Sequence, residues 1–564
     1  MANQLDEQTL ESAVIDAAHL GDIRGAFGTL RWRQLWPART IRRRLLVLVT
    51  VMGPGVLALI ADNDAGGIAT YAQAGQAQGT RLLWTLVPLG VVLFLNQEMA
   101  ARLGAVTGVG HARLIFERFG RRWGAFSLSD LLLLNVLTLV TEFIGVRIAA
   151  EHVGIASRPA VGLAALVLIA ATLSGGFQRW ERVMYMLVAL DVVLIPLLFF
   201  AHAQPGVVSA PSSAPVESTV LLVAALIGTT VAPWQLFFQQ SAVVDKRITP
   251  RWMAYARLDT AVGTLLMLAG AAAVMAVSAA AFTGGSAAQV SGDVGGVLAS
   301  VGKHVGPGIG NLLAVLLFDG ELLGAAAVAM ATSYAIGDVT GARHSLHRTP
   351  RQAPLFYTVT TLVIAATAGV VLLPGVPLGF TTVSVQVLAG LLLPSATVFM
   401  LLLCNDTAVL GPWSNGRVLN ALVATTIAAL LALSGVLVVT ALYPRAPVVT
   451  VVAVLGGVAL AGLLGVGGAA ALRRRSRRGL WSDPSTTPRL VLLRESGVLL
   501  VPKRGRATPP LDDERAFWRT PPLSELRRPV WSTGRLVGMV ALRIYLVASV
   551  LLLSGRVVAA ALGH

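Results

Sequence analysis

Residues Gly53 to Gly67 read Gly-Pro-Gly-Val-Leu-Ala-Leu-Ile-Ala-Asp-Asn-Asp-Ala-Gly-Gly, which sets two carboxylates and a glycine pair inside a run otherwise apolar enough to cross a bilayer. A charged side chain at that depth costs roughly 3 kcal/mol on insertion scales and more in simulations. The Gly66-Gly67 pair also loosens the helical ladder, and freed backbone is tolerated at membrane depth only where it lines a polar cavity. The sequence therefore predicts a first span interrupted at 62–67 that presents Asp64 to a cation near the midplane.

Apolar runs of similar length recur along most of the chain, each sufficient for about 30 Å of hydrocarbon. With 55% hydrophobic and 13% charged residues among 564, the chain reads as an all-α polytopic membrane protein. About twelve spans are expected, near 45–79, 82–101, 124–150, 159–175, 183–203, 219–244, 257–281, 309–338, 355–373, 381–403, 418–442 and 447–472. The net charge of +16 does not gather on one soluble domain, which argues against nucleic acid as a partner. It sits between the hydrophobic runs: Arg113, Arg118, Arg121 and Arg122; Arg179 and Arg182; Lys246, Arg247, Arg251 and Arg257; Arg343, Arg348 and Arg351; then 473–478. The intervening loops carry almost none, so the positive-inside rule puts the N-terminus and these loops in the cytoplasm of a multi-pass cell-membrane protein that meets anionic lipid headgroups. No secretory signal is visible in the polar residues 1–40. The lone Cys404 lies in an apolar run and forms no intrachain disulfide.

The expected organisation is a cytoplasmic segment over 1–44 and a membrane core over 45–404. Additional spans follow over 405–472, a basic linker over 473–535, and an apolar helix over 536–564. With Arg543 and Arg556 inside it, that last helix is either interfacial or a thirteenth span.

A second interruption is predicted near 232–234, where Pro233 in Gly228-Thr229-Thr230-Val231-Ala232-Pro233-Trp234 removes a backbone donor from an apolar run. Five spans separate the two breaks. Spans one to five and six to ten (about 45–203 and 219–404) then form corresponding halves, and an odd number of spans per half inverts their orientation. Interrupted helices at matching positions of inverted repeats point to a transporter's midplane site.

These residues resemble those of the Nramp divalent-metal transporters. Gly53 to Gly75 is similar to the family's first helix, Ala100 to Gly108 to the end of its second, and Thr141-Glu142-Phe143-Ile144-Gly145 to its third-to-fourth helix region. Gly176 to Glu181 is similar to the turn into the next helix, and Val383 to Leu388, with Pro394 and Asn405-Asp406, to its tenth. The resemblance covers about 45–440. It implies a LeuT-type 5+5 inverted repeat with broken helices 1 and 6, working by alternating access.

Departures from the family pattern bear on the substrate. Asp64 aligns with the family's Asp, but its Asn position is Gly67, and its Met-Pro-His is Ala232-Pro233-Trp234. Loss of the thioether removes a soft ligand. What remains is oxygen: Asp64, the carbonyls of Ala61 and Thr229, and the Gln386 amide, with Gly67 and Ala232 widening the site. That suits Mg2+, which keeps several waters and needs only one or two carboxylates. The pattern resembles the Nramp-related magnesium transporters, with Mg2+ (and Mn2+) as transported substrate rather than cofactor. The position matching a family Asp is Leu139 and the sixth-helix His is Trp234, so two relay groups are gone. Uptake is therefore expected to be driven by the membrane potential, about 2.3 kcal/mol per charge per 100 mV, without tight proton coupling.

Other readings stay open. Asp64 pairs with Arg147 in one alternative, and Gln386 only bridges helices in another. Asp62 is a candidate for the cavity wall. Trp234 is expected as a wall, since indole offers a cation no lone pair. Gln239 and Gln240 either cap waters around the ion or merely pack. Glu98, Glu142 and Arg147 are expected to build a structural polar network, and Asp319 and Glu321 are left unassigned. A proton-coupled Mn2+/Fe2+ importer and an amino-acid transporter are the competing functions. No catalytic constellation, phosphate loop or obligate protein partner is evident.

Overall fold

The computed structural model describes residues 12–14, 16–31, 40–194, 196, 216–281, 294–373, 378–443, 446–478, 515–526, 528–529, 538–545 and 547–548. The fold is all-α apart from one hairpin, β1 (Ile23–Gly25) and β2 (Gly28–Leu30). The helices in the first half are α1 (Ile41–Val51), α2 (Pro54–Ile60), α3 (Ala65–Gln78), α4 (Leu86–Thr107), α5 (His111–Phe119), α6 (Arg121–His152), α7 (Ser157–Leu173) and α8 (Phe177–Asp191). There follow α9 (Val216–Thr230), α10 (Pro233–Asp245), α11 (Met253–Ala281), α12 (Val294–His304), α13 (Pro307–Thr340), α14 (Pro354–Leu372), α15 (Leu378–Cys404), the short α16 (Thr407–Leu410), α17 (Arg417–Leu442) and α18 (Val448–Arg478).

Each of the twelve expected runs falls on one of these helices or on a broken pair, although the end of the fifth run, from 197, lies outside the described residues. By length and composition alone, seven described helices can cross a membrane, or nine if each of two bent pairs is one span. Of the runs outside that count, the fifth continues beyond the described residues, and the others are short or broken. Broken helices supply two short pieces where an intact span supplies one, and α7 is only 17 residues long. The core is inverted-repeat and LeuT-type: α2/α3 and α9/α10 are the two interrupted helices, and α6 against α13 is the most extensive helix pair.

Two features escaped the sequence reading. The first span bends twice, since α1 and α2 meet at 54°. Gly53 makes that corner at φ 147°, a backbone that favours glycine. Its missing side chain leaves room for the buried Lys246–Glu181 ion pair, whose Lys246 also donates to the Met52 carbonyl. The second is the N-terminal segment from Ser12, which packs as a strap across one face of the bundle. There Ala26 N–H donates to Glu181 (2.5 Å), Arg182 to the Ala26 carbonyl (2.8 Å), and Arg348 to Asp16. Burial opposes ionisation of Asp16, but Arg348 prevails and holds its carboxyl at about 2. The arginine-bearing segments at 174–182, 246–251 and 341–351 all meet this strap, so three of the five basic clusters share one face.

Of the expected linker 473–535, residues 515–526 dock on that same face through Trp413 Nε1 to the Arg515 carbonyl (2.7 Å) and Thr520 Oγ1 to the Val409 carbonyl (2.8 Å). The apolar segment 536–564 is described only at 538–545 and 547–548. There Met539 and Leu542 are buried, and Arg543 lies 5.1 Å from the Phe126 ring centre.

Candidate cation site at two helix breaks

The first break is anchored before it begins. Asp259 on α11 accepts from the N–H groups of Gly53 (3.0 Å), Gly55 (2.6 Å) and Val56 (3.2 Å), satisfying the donors at the start of α2. The chain leaves helix after Ile60 and re-enters at Ala65, with Asp64 as N-cap in extended backbone, its Oδ1 accepting from Gly67 N–H at 2.7 Å. The interruption thus spans 61–64, not 62–67. Gly66 and Gly67 are helical because the Asp64 cap, rather than the glycine pair, sets the boundary.

Gly67 does not widen the site either. A β-carbon there would fall 2.7 Å from the Asp62 carbonyl oxygen, so the missing side chain is space the break's own backbone occupies. Two further glycines receive the break from behind. β-carbons on Gly320 of α13 and Gly270 of α11 would each fall 2.7 Å from Asn63, from its carbonyl oxygen and its Nδ2 respectively. Neither glycine carried a readable signal in the sequence, because close approach between distant helices leaves no local pattern.

The second break leaves Val231 and Ala232 between α9 and α10, not 232–234, since Pro233 and Trp234 already begin α10. Pro233 has no N–H to offer the Thr229 carbonyl four residues back, so the ladder ends there. Ala232 is extended and buried, and its N–H is taken by Gln235 Oε1 (3.2 Å), which also accepts from Gln97 Nε2 (3.3 Å). This glutamine brace was not foreseen. The two breaks face each other: α3 packs on α9, and Tyr71 Oη lies 3.5 Å from Thr230 Oγ1.

Asp62, Asp64, Ala61 and Gly67 therefore gather at one break and Thr229, Ala232 and Trp234 at the other, all buried. One Asp62 oxygen, Oδ2, is buried without a hydrogen-bond partner. Gln386 lies on α15, which packs on both α9 and α3, but its side chain is outside the described residues. Among the described residues no three His, Cys, Asp or Glu side chains converge as a metal cluster, so any cation here would rely on carbonyls and water beside the carboxylates.

Three points left open by the sequence turn on partners elsewhere in the bundle. Gln240 is committed elsewhere, to His111 Nδ1 (2.9 Å) and the Val109 carbonyl (2.8 Å), and Gln239 points its amide toward Thr260 (3.4 Å). Both glutamines thus pack against neighbouring helices, the second of the two alternatives, although Gln239 Oε1 is buried without a partner. Arg147 pairs with Glu151 one turn on (3.0 Å) at a partly exposed end of α6, so the structure gives no sign of the Asp64–Arg147 alternative. The proposed Glu98–Glu142–Arg147 network also dissolves, since Glu98 binds Arg102 (3.3 Å) and Arg257 (2.9 Å).

Glu142 instead meets Glu321. Both are fully buried, and each is seated over a glycine of the opposite helix, Glu142 on Gly324 and Glu321 on Gly145. The two carboxyls face each other with no other described side chain donating to them, and Glu321 also faces the Ala65 N–H at the start of α3, near Asp64.

The Nramp family profile (natural resistance-associated macrophage protein-like) matches residues 55–440. Among curated proteins, the divalent metal cation transporter MntH of Ralstonia nicotianae is 28% identical over 395 residues, covering 66% of this chain and 87% of its own. The protein of the same name from Mycobacterium tuberculosis is 27% identical over 397 residues, covering 67% and 89%. A crystal structure of a manganese transporter variant from Eremococcus coleocola superposes with a TM-score of 0.58 at 21% identity, over 80% of this chain and 98% of that one. A profile match that begins at the α2 corner and includes both breaks agrees with the architecture, and the chain belongs to the Nramp family.

Proposed function

We propose that this chain carries divalent cations into the cell by alternating access, with Mg2+ preferred and Mn2+ also accepted. The observation that carries the reading is the pair of facing breaks with Asp64 and Asp62 buried between them. Relatives named as divalent metal cation transporters support the cation class. Preference for Mg2+ rests on Ala232, which offers no sulfur where the family pattern has Met, and on a donor set of hard oxygens. Entry without tight proton coupling rests on Leu139, fully buried and apolar, and on Trp234. The arginine-rich face that the strap crosses is assigned to the cytosol by the positive-inside rule.

Uptake into proteoliposomes tests the assignment. Millimolar Mg2+ should suppress Mn2+ influx, and Asp64→Asn should abolish both fluxes. Mn2+ influx indifferent to Mg2+ overturns the preference, and wild-type flux in Asp64→Asn overturns the site.

One observation favours a second reading, proton-coupled Mn2+ import. The Glu142–Glu321 pair sets two carboxyls together between α6 and α13 near Asp64, a geometry a proton carrier could use. Metal-driven acidification inside proteoliposomes, absent in Glu321→Gln, would establish that reading in place of the first.

A further inference from the structure

The N-terminal strap bonds to segments from both halves of the core. Toward the first half, its hairpin donates from Ala26 N–H to Glu181, accepts from Arg182 at the Ala26 carbonyl, and accepts from Gln178 Nε2 at the Gly25 carbonyl (3.1 Å). The hairpin also lies directly on α1. A β-carbon on Gly25 would run into the Thr50 carbonyl oxygen, and one on Gly28 would fall 2.6 Å from Thr50 Oγ1. Toward the second half, Arg247, just past α10, donates to the carbonyls of Ala18 (2.8 Å) and Asp22 (3.1 Å). On the link between α13 and α14, the His344 carbonyl meets His19 Nε2 (3.1 Å) and Arg348 pairs with Asp16. The start of the strap is pinned in turn by Ala13 N–H to the Thr520 carbonyl (3.0 Å).

Under the hairpin, α1 and α2 are the pieces of the first broken helix that run from the strap face to the break at 61–64. Their corner is itself held across the halves, because Lys246 pairs with Glu181 and donates to the Met52 carbonyl. The strap therefore lies as a second staple over the first. Alternating access requires contacts between the two moving parts to break on whichever face opens. A hairpin of three residues per strand has little stability of its own, so it keeps its place only through the bundle beneath it. A segment held in this way can leave and return while the bundle stays folded.

We propose that the strap is a latch: seated across both halves it holds the arginine-rich face closed, and its release from α1 lets that face open toward the cation site. The latch rests on the alternating access proposed above and adds the segment that controls one of its two gates.

The test uses the full-length protein in nanodiscs without divalent cations, so its outcome does not depend on whether Asp64 binds one. Spin labels on Arg43→Cys and Arg351→Cys, both at exposed positions, straddle the strap, and the native Cys404 is buried. A second pair, on Arg158→Cys and Lys303→Cys, reports on the far ends of α6 and α13, away from the strap. Gly25→Val drives a side chain into the α1 backbone and should raise the longer-distance population of the first pair roughly threefold or more. Asp16→Asn keeps an acceptor for the Ala18 N–H but removes the charge that Arg348 pairs with, and should raise the same population less. The second pair should not lengthen in either variant. Lengthening of the first pair alone, in either variant, supports the latch. Unchanged distances in both variants, or lengthening of both pairs together, overturns it.

Discussion

Replacing Gly67 by alanine tests whether the first break is held by close packing or merely tolerates a small residue. The new β-carbon would lie 2.7 Å from the Asp62 carbonyl oxygen, against about 3.4 Å for ordinary contact, and 3.4 Å from Asp64 Oδ1. The obstructing atom is backbone, so relief requires the break itself to move by about 0.7 Å. Overpacking of this kind costs about 1–3 kcal/mol. The gain in helix propensity from glycine to alanine returns at most about 1 kcal/mol. The expected net loss is therefore about 0–3 kcal/mol, a modest fall in apparent melting temperature. Transport should suffer more than stability, because a binding constellation tolerates only about 0.5 Å of displacement. Mg2+ and Mn2+ uptake should both fall by roughly tenfold or more, and Gly67→Asn should be worse. Gly162→Ala on α7, with nothing within 4 Å, is the control and should be neutral or slightly stabilising. If Gly67→Ala transports and melts like the wild type, the packing account of the break is wrong.

Further expectations concern chemistry and stability elsewhere. Ala232→Met should raise Cd2+ and Mn2+ uptake relative to Mg2+ in competition assays, and an unchanged ranking would remove the sulfur argument. Glu181→Ala strands Lys246 in a fully buried position and should cost about 3–5 kcal/mol, seen as a large loss of folded protein on heating. The loop histidines give a pH dependence that can be read by melting across a pH series. Burial opposes protonation of His344, but its hydrogen bond to Asp338 (3.0 Å) and that carboxylate's charge lift it from 6.5 to about 8. A raised folded value means the contribution, about 2 kcal/mol, is complete below pH 6.5 and lost as pH rises through 8. His344→Gln should flatten that window. His347 shifts the other way, to about 4 through burial, so it favours the unfolded chain as pH falls from 6.5 to 4.

The chain's own order of residues determined the span positions, the two interruptions and the shared face of the basic loops. These follow from apolar run length, a proline without a donor and the placement of Arg and Lys, all of which are local. The Asp64 cap was half legible: the residue stood out, but whether Gly66-Gly67 or the cap ended the break did not. Only the packed bundle decided what Asp64 keeps company with. Gly270, Gly320, Gly145 and Gly324 look like ordinary membrane glycines until another helix's Asn63 or glutamate is found against them. The Glu142–Glu321 encounter and the strap from Ser12 likewise join segments far apart in sequence. Helical periodicity says which face of one helix is polar. It does not say which other polar face will lie opposite, because that depends on packing the whole bundle at once.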